Sequence, residues 1–229
     1  MDWASAPAAG CGRICTVTTP APGPHLQVRT ATDRSELDAC ARVLAEAFAR
    51  DPLMASIWPD DQRRRIALVG YFTASMRHEH SRIGVVDYLV DDAGHPIAVA
   101  AWDGPNRGGT VAGLVRTARA APGMLGALRG RLLSGISVRQ RLDDHEPTDP
   151  HWTLVNLGVA TVAQKQGHAR TLLEHRLAHI DANPLPAHLV CTRADNVALY
   201  RRFGFEVSDQ FALASGVPLW SMDRPNRLA

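Results

Sequence analysis

Lysine, cysteine and long apolar runs are scarce in this chain, and each shortage excludes something. Of the 25 lysines and arginines, Lys165 is the only lysine, a bias of the kind a GC-rich genome imposes. No apolar run approaches the roughly 20 residues that a membrane-spanning helix needs. The N-terminal stretch has neither the basic start nor the apolar segment of a secretory signal. A cytoplasmic protein with no membrane partner is therefore expected. The four cysteines, Cys11, Cys15, Cys40 and Cys191, stand at no metal-ligand spacing with the histidines. They read as free thiols in a reducing compartment, and no metal is expected. Charge excess is lacking too: 25 basic against 23 acidic residues leave +2, too little to argue for nucleic acid as a partner. What is present, 45% hydrophobic and 21% charged residues over 229 positions, suffices for one globular domain with a sizeable core.

Residues 1–24 are rich in Ala, Pro and Gly without periodicity, which predicts a disordered tail ahead of a single domain over 25–229. Leu26 to Thr30 alternates as a strand does. Asp33 or Ser35 then caps a helix with Leu37, Ala41, Leu44 and Phe48 on one stripe, broken at Asp51-Pro52. A second helix is predicted from about Asp61 to about His78, with Ile66, Val69, Phe72 and Met76 inward. Ile83–Val90 and Ile97–Trp102 read as strands joined by a tight turn at Asp91-Asp92-Ala93-Gly94. Trp152–Val159 is the next strand, followed by a helix over Arg170–Asp181 and a strand over His188–Thr192. A short helix at Asn196–Phe203 with Gly204 as its C-terminal glycine, a strand from Phe205 and another over Pro218–Met222 complete the chain. This order predicts an α/β fold, a mixed central sheet with helices on both faces.

Residues 104–150 interrupt the progression. Met124, Leu125, Leu128, Leu132 and Ile136 recur at helical spacing, and Pro105–Leu142 holds seven arginines and no acid. Three readings stand: a helical insertion with solvated arginines, a lid over a binding pocket, or a surface for an anionic partner.

Chemistry concentrates in Gln164-Lys165-Gln166-Gly167-His168-Ala169, between the Trp152–Val159 strand and the next helix. A glycine-bearing loop that opens a helix behind a buried strand can hold a diphosphate, because free backbone amides and the helix dipole converge on the anion. Lys165 and Arg170 add charge to it. Its spacing is neither a P-loop nor the dinucleotide fingerprint. Gly158, inside the strand Leu154-Val155-Asn156-Leu157-Gly158-Val159, calls for a bulge or for a ligand that approaches the backbone closely.

The loop resembles the Q/R-x-x-G-x-G/A signature of the GCN5-related N-acetyltransferases, and Asn196-Val197-Ala198-Leu199-Tyr200-Arg201-Arg202-Phe203-Gly204-Phe205 is similar to that family's tyrosine-helix block. Ala47-Phe48-Ala49 with Asp51-Pro52, Ala98–Trp102 and Trp152 ahead of Leu157-Gly158-Val159 extend the likeness to its puromycin N-acetyltransferase branch over Leu26–Met222. The resemblance implies that the Trp152–Val159 strand splays from its neighbour, so that acetyl-CoA, the co-substrate, pairs with Leu157, Gly158 and Val159. A backbone amide near Val159 would face the thioester oxygen. Its diphosphate would lie on Gln164, Lys165, Gln166, Gly167, His168, Ala169 and Arg170, with Asn196 and Tyr200 nearby.

In that frame Tyr200 stabilises the departing thiolate, and amine attack proceeds directly in a ternary complex. Relatives carry a glutamate in a Leu-Glu-Thr sequence before the tyrosine helix; here Val190-Cys191-Thr192 stands instead. Asp103 is taken as the substitute catalytic carboxylate, while His151 and His168 remain candidates for proton work. Glu46, Asp51 and Trp102 are assigned to the acceptor. The implied function is acetyl transfer to a small-molecule amine, an antibiotic or secondary metabolite, by a monomer or homodimer. Transfer to a protein or aminoacyl-tRNA amine, and a non-catalytic coenzyme A-binding module, are the alternatives.

Overall fold

The computed structural model describes residues 27–105 and 110–226, and for 110–118 the backbone alone. The expected tail, with Cys11 and Cys15, the start of the first strand at Leu26, and Arg107 in the insertion lie outside the described residues. Seven strands form one sheet in the order β1-β2-β3-β4-β5-β7-β6. They are β1 (Arg29–Thr30), β2 (Gly84–Val90), β3 (Pro96–Asp103), β4 (Trp152–Val159), β5 (Ala187–Cys191), β6 (Glu206–Ala212) and β7 (Pro218–Arg224). Only β4 and β5 run parallel; every other neighbouring pair is antiparallel. The result is the expected mixed sheet with helices on both faces.

One face carries α1 (Arg34–Ala47) and α3 (Asp61–Ser75); the other carries α7 (His168–Ala182) and α8 (Ala194–Arg201). Asp33 caps α1 in a reciprocal box with Glu36, an arrangement worth about 1 kcal/mol. Leu37, Ala41 and Leu44 are buried as predicted, joined by Cys40, Val43 and Ala45. Between the layers of the second face, Arg176 of α7 reaches Asp87 of β2 with two hydrogen bonds, 2.8 and 2.7 Å long. Asp87 is fully buried, so the bidentate geometry is what makes its burial tolerable.

Asp51-Pro52 does more than break α1. Asp51 accepts from Leu53 N and Met54 N and so caps a further helix, α2 (Pro52–Ile57), which the sequence pattern did not announce. In α3 the inward residues are Leu68 and Phe72, continued by Met76, whereas Ile66 and Val69 are exposed; the expected stripe is corrected by rotation of the helix. Arg64 dictates that rotation. It is buried, and its guanidinium donates to Ala49 O and Trp58 O and pairs with Asp61, which turns Ile66 and Val69 outward. α3 runs on through a π-turn over Met76–His80 and the short α4 (Ser81–Ile83) into β2. The turn after β2 folds as expected, with Gly94 left-handed at φ 83° and the Asp91 carboxylate accepting from Ala93 N and His95 N.

The described residues of the insertion form two helices. α5 (Thr110–Leu128) and α6 (Leu132–Asp143) part at Arg129-Gly130, both with positive φ. The break splits the predicted stripe, leaving Leu128 buried while Leu125, Leu132 and Ile136 are exposed. α5 packs on α3, and α6 reaches over α2.

Candidate active site

β4 and β5 pair only over Trp152–Leu154 and Ala187–Leu189. At that point β4 bulges: Leu154 stands opposite Trp102 and Asn156 opposite Ala101, which leaves Val155 without a counterpart on β3. Bulges re-aim a strand, and beyond this one β5 no longer follows β4. The splay expected of this strand is therefore present. It opens a cavity of about 880 Å³ along Thr153–Val159 of β4, lined by residues of α1, α2, α6, α7 and α8.

At the Val159 end the cavity is lined by Gln164, Lys165, Ala169, Arg193 and Asn196. Gly167, left-handed at φ 88°, begins α7, whose start has no side-chain cap; its first amides are thus available to an anion. Lys165 also has a positive φ of 63°, and the Gln164 side chain donates to Val159 O at 3.1 Å. These contacts and the two positive φ angles fix the shape of the loop. Gln166 donates to Val162 O, Arg170 pairs with Glu174 of its own helix, and the buried His168 lies outside the lining. None of the three lines the cavity, and the burial of His168 agrees with a structural place in the loop.

Midway, Tyr200 of α8 faces the cavity beside Cys191, Thr192 and Asp51. Its ring packs edge-on against Phe205 at 6.2 Å. Burial pushes the phenol pKa up, and Cys191 and Asp51 push the same way, so the hydroxyl keeps its proton and can donate it in a hydrogen bond. The Cys191 thiol donates to Arg193 O at 3.0 Å and is likewise raised by burial, which suits an inert thiol. Asp51 is buried; one carboxylate oxygen caps α2 and the other accepts from the Thr192 hydroxyl. Desolvation raises its pKa against the pull of those hydrogen bonds. The fold thus sets a carboxylate from the first helical pair next to the β5 position where Cys191 stands.

At the Thr153 end the lining turns polar and is walled by apolar side chains. Glu79, His80, Asp103, Glu146, Thr153 and His188 meet Phe48, Met54, Tyr71, Leu128 and Val138. Asp103, Thr153 and His188 stand in one row across β3, β4 and β5. Asp103 is engaged by His80, whose Nδ1 lies 2.7 Å from Oδ1. His80, Glu79 and Glu146 carry no recognisable spacing in the sequence; the π-turn, which adds a residue to one turn, is what brings His80 to this face.

Three expectations need correction. Trp102 is fully buried on the opposite face, among Leu154, Leu172 and Leu173, because strand alternation turns it away from its neighbour Asp103. Glu46 accepts from Thr161 N at 2.8 Å and is exposed outside the cavity. Gly158 sits in regular register opposite Val99. A Cβ there would lie 2.9 Å from Ala47 and Leu44, so its close neighbour is α1, and the bulge belongs to Val155. His151 bonds to Asp149 O and does not line the cavity.

No family model matches the chain. In structure it is similar to a histone acetyltransferase HPA2-related acetyltransferase from Corynebacterium glutamicum, at 22% identity and a TM-score of 0.66 over 89% of this chain and 98% of that one. It is also similar to arylalkylamine N-acetyltransferase 2 from Aedes aegypti, at 12% identity and 0.56 over 88% and 99%. The PaiA N-acetyltransferase from Thermoplasma acidophilum, solved with coenzyme A, gives 10% and 0.51 over 87% and 99%. The fold is that of the GCN5-related N-acetyltransferases.

Proposed function

We propose that the protein is an acetyl-CoA-dependent N-acetyltransferase that acts on the amine of a small molecule in the cytoplasm. The observation that carries this reading is that one cavity joins the splayed β4–β5 gap, with Tyr200 in it, to a region lined by Glu79, His80, Asp103 and Glu146 among apolar side chains. Acetyl-CoA fits the first part: the unfollowed half of β4 offers backbone partners to an extended pantetheine, and the uncapped start of α7 with Lys165 and Arg193 offers positive charge to the diphosphate. Leu157, Gly158, Val159, Gln164, Ala169 and Asn196 would line that path. Tyr200 would hydrogen-bond the departing sulfur, and Asp51, in contact with Thr192, would act on the acceptor side.

The acceptor would be a cationic amine on an apolar body. Acidic Glu79, Asp103 and Glu146 occur among apolar walls, to which helix α6 contributes Ile136, Val138 and Leu142. The sequence likeness to the puromycin branch supports an antibiotic or secondary-metabolite amine. The test is to incubate the protein with acetyl-CoA and puromycin, phenylethylamine, spermidine and an alanine-ended peptide, following coenzyme A release and product mass. Acetylation of a small amine is the expected result. Acetylation of the peptide alone, or coenzyme A binding with no product, would overturn the reading.

A further inference from the structure

The mechanism above leaves one proton without a destination. An amine that binds as an ammonium must lose a proton before it attacks, and Asp103 is poorly placed to take it alone, since its carboxylate already accepts from His80. His80 is buried at 4% exposure, lines the cavity, and is held by the π-turn Met76–His80. A carboxylate at Nδ1 keeps the hydrogen on that nitrogen and leaves the lone pair on Nε2. Imidazole is the side chain that most often carries general acid–base transfer.

The position of the pair along β4 supports the same role. Asp103 stands opposite Thr153, two residues before the bulged Val155 at which β4 and β5 part. The pair therefore lies at the apex of the splay, on the face shared with Asn156 and the acceptor pocket. An amine reaching for a thioester carbonyl held between the strands passes it.

Resting on the acetyltransferase reading, we propose that His80 is the base that deprotonates the acceptor ammonium and that Asp103 is its positioning residue. The ammonium gives one proton to Nε2, and the freed nitrogen lone pair forms the N–C bond to the thioester carbonyl. Collapse of the adduct breaks the C–S bond, and the electron pair leaves on sulfur. The second N–H proton goes to that thiolate, while Tyr200 donates a hydrogen bond to it. The imidazolium then returns its proton to water. One ammonium and one thioester become one amide, one thiol and one released proton.

The π-turn packs against α1, α3, α4, α5, β2 and β3. Described charged groups around it are Asp103, Glu79, the Arg77–Asp38 pair, His78, Arg34, Arg82, Arg119 and Arg139. Of these only Asp103 bonds the His80 ring, so Asp103→Asn separates its influence from the general field. The test measures kcat/KM against pH for His80→Gln, Asp103→Asn and wild type on whichever panel amine is acetylated, with coenzyme A binding by calorimetry as the control for folding. His80→Gln should lose about 100-fold or more and the acidic limb of the profile. Asp103→Asn should lose less and move that limb to lower pH, because the imidazolium loses its carboxylate. Coenzyme A affinity should stay within about threefold in both, a change under 1 kcal/mol. An active wild type with an unchanged rate and limb in His80→Gln would overturn the pair and leave the acetyltransferase reading standing. A wild type inactive on every amine would overturn both.

Discussion

The two ends of the cavity are built by different means. The Val159 end is made of backbone: a strand whose neighbour leaves it, a left-handed Gly167, and a helix start without a cap. The Thr153 end is made of side chains, gathered from a π-turn, the last residue of β3, the end of the insertion and one row of the sheet. Backbone sites tolerate many sequences but need a few fixed glycines and spacings. Side-chain sites need particular residues, yet draw them from anywhere in the chain. A common coenzyme at one end and a variable acceptor at the other are what such a division suits.

Substitutions can break that comparison at four points. The largest effect is expected at Tyr200, which faces the middle of the cavity, between the two ends. Tyr200→Phe should cut kcat by about 100-fold, near 2.7 kcal/mol of activation energy, while calorimetry finds coenzyme A affinity almost unchanged. Equal losses would make Tyr200 a packing residue. Gly158→Ala tests the seam between the ends, since its Cβ would press on Ala47 and Leu44 of α1. Overpacking of this kind costs about 1–3 kcal/mol, to be read from urea midpoints.

A smaller effect sharpens the contrast. Val138→Trp in α6 fills the acceptor wall, and should raise KM for the amine about tenfold with KM for acetyl-CoA unchanged, a split of about 1.4 kcal/mol. Asp51→Asn should be the mildest in stability, because asparagine also caps helices. Its signature is in pH. Burial raises the pKa of Asp51 in the folded chain, so the native state holds that proton more tightly than the unfolded one. The stability this contributes is complete below the unfolded value of about 3.9 and is lost as pH rises through the folded value. Denaturation of Asp51→Asn followed from pH 4 to 7 should lack that loss, and a wild-type curve without it would place Asp51 in water.

The same division explains what the sequence disclosed. Strand Trp152–Val159, the glycine loop and the tyrosine helix were legible, because apolar runs and glycine spacing encode backbone geometry directly. Asp103 was legible only as the residue after a strand; that it is half of a pair was not. His80 was hidden, because a π-turn shifts the facing of the residues after it and the 3.6-residue period then misleads. Trp102 went astray by one position of strand alternation, and Ile66 and Val69 by a rotation that the buried Arg64 imposes. The six-residue α2 was read as a simple break, since its only sequence signal is an aspartate followed by a proline.

The loop at the coenzyme end has one further consequence. Lys165 is exposed and is the chain's single lysine, and it lines the Val159 end of the cavity, where the proposed diphosphate would rest. An amine-directed reagent therefore meets one internal target in the whole chain. Shielding of that target by coenzyme A reports occupancy by mass alone, one adduct gained or withheld per molecule, with no need to know which amine the enzyme prefers.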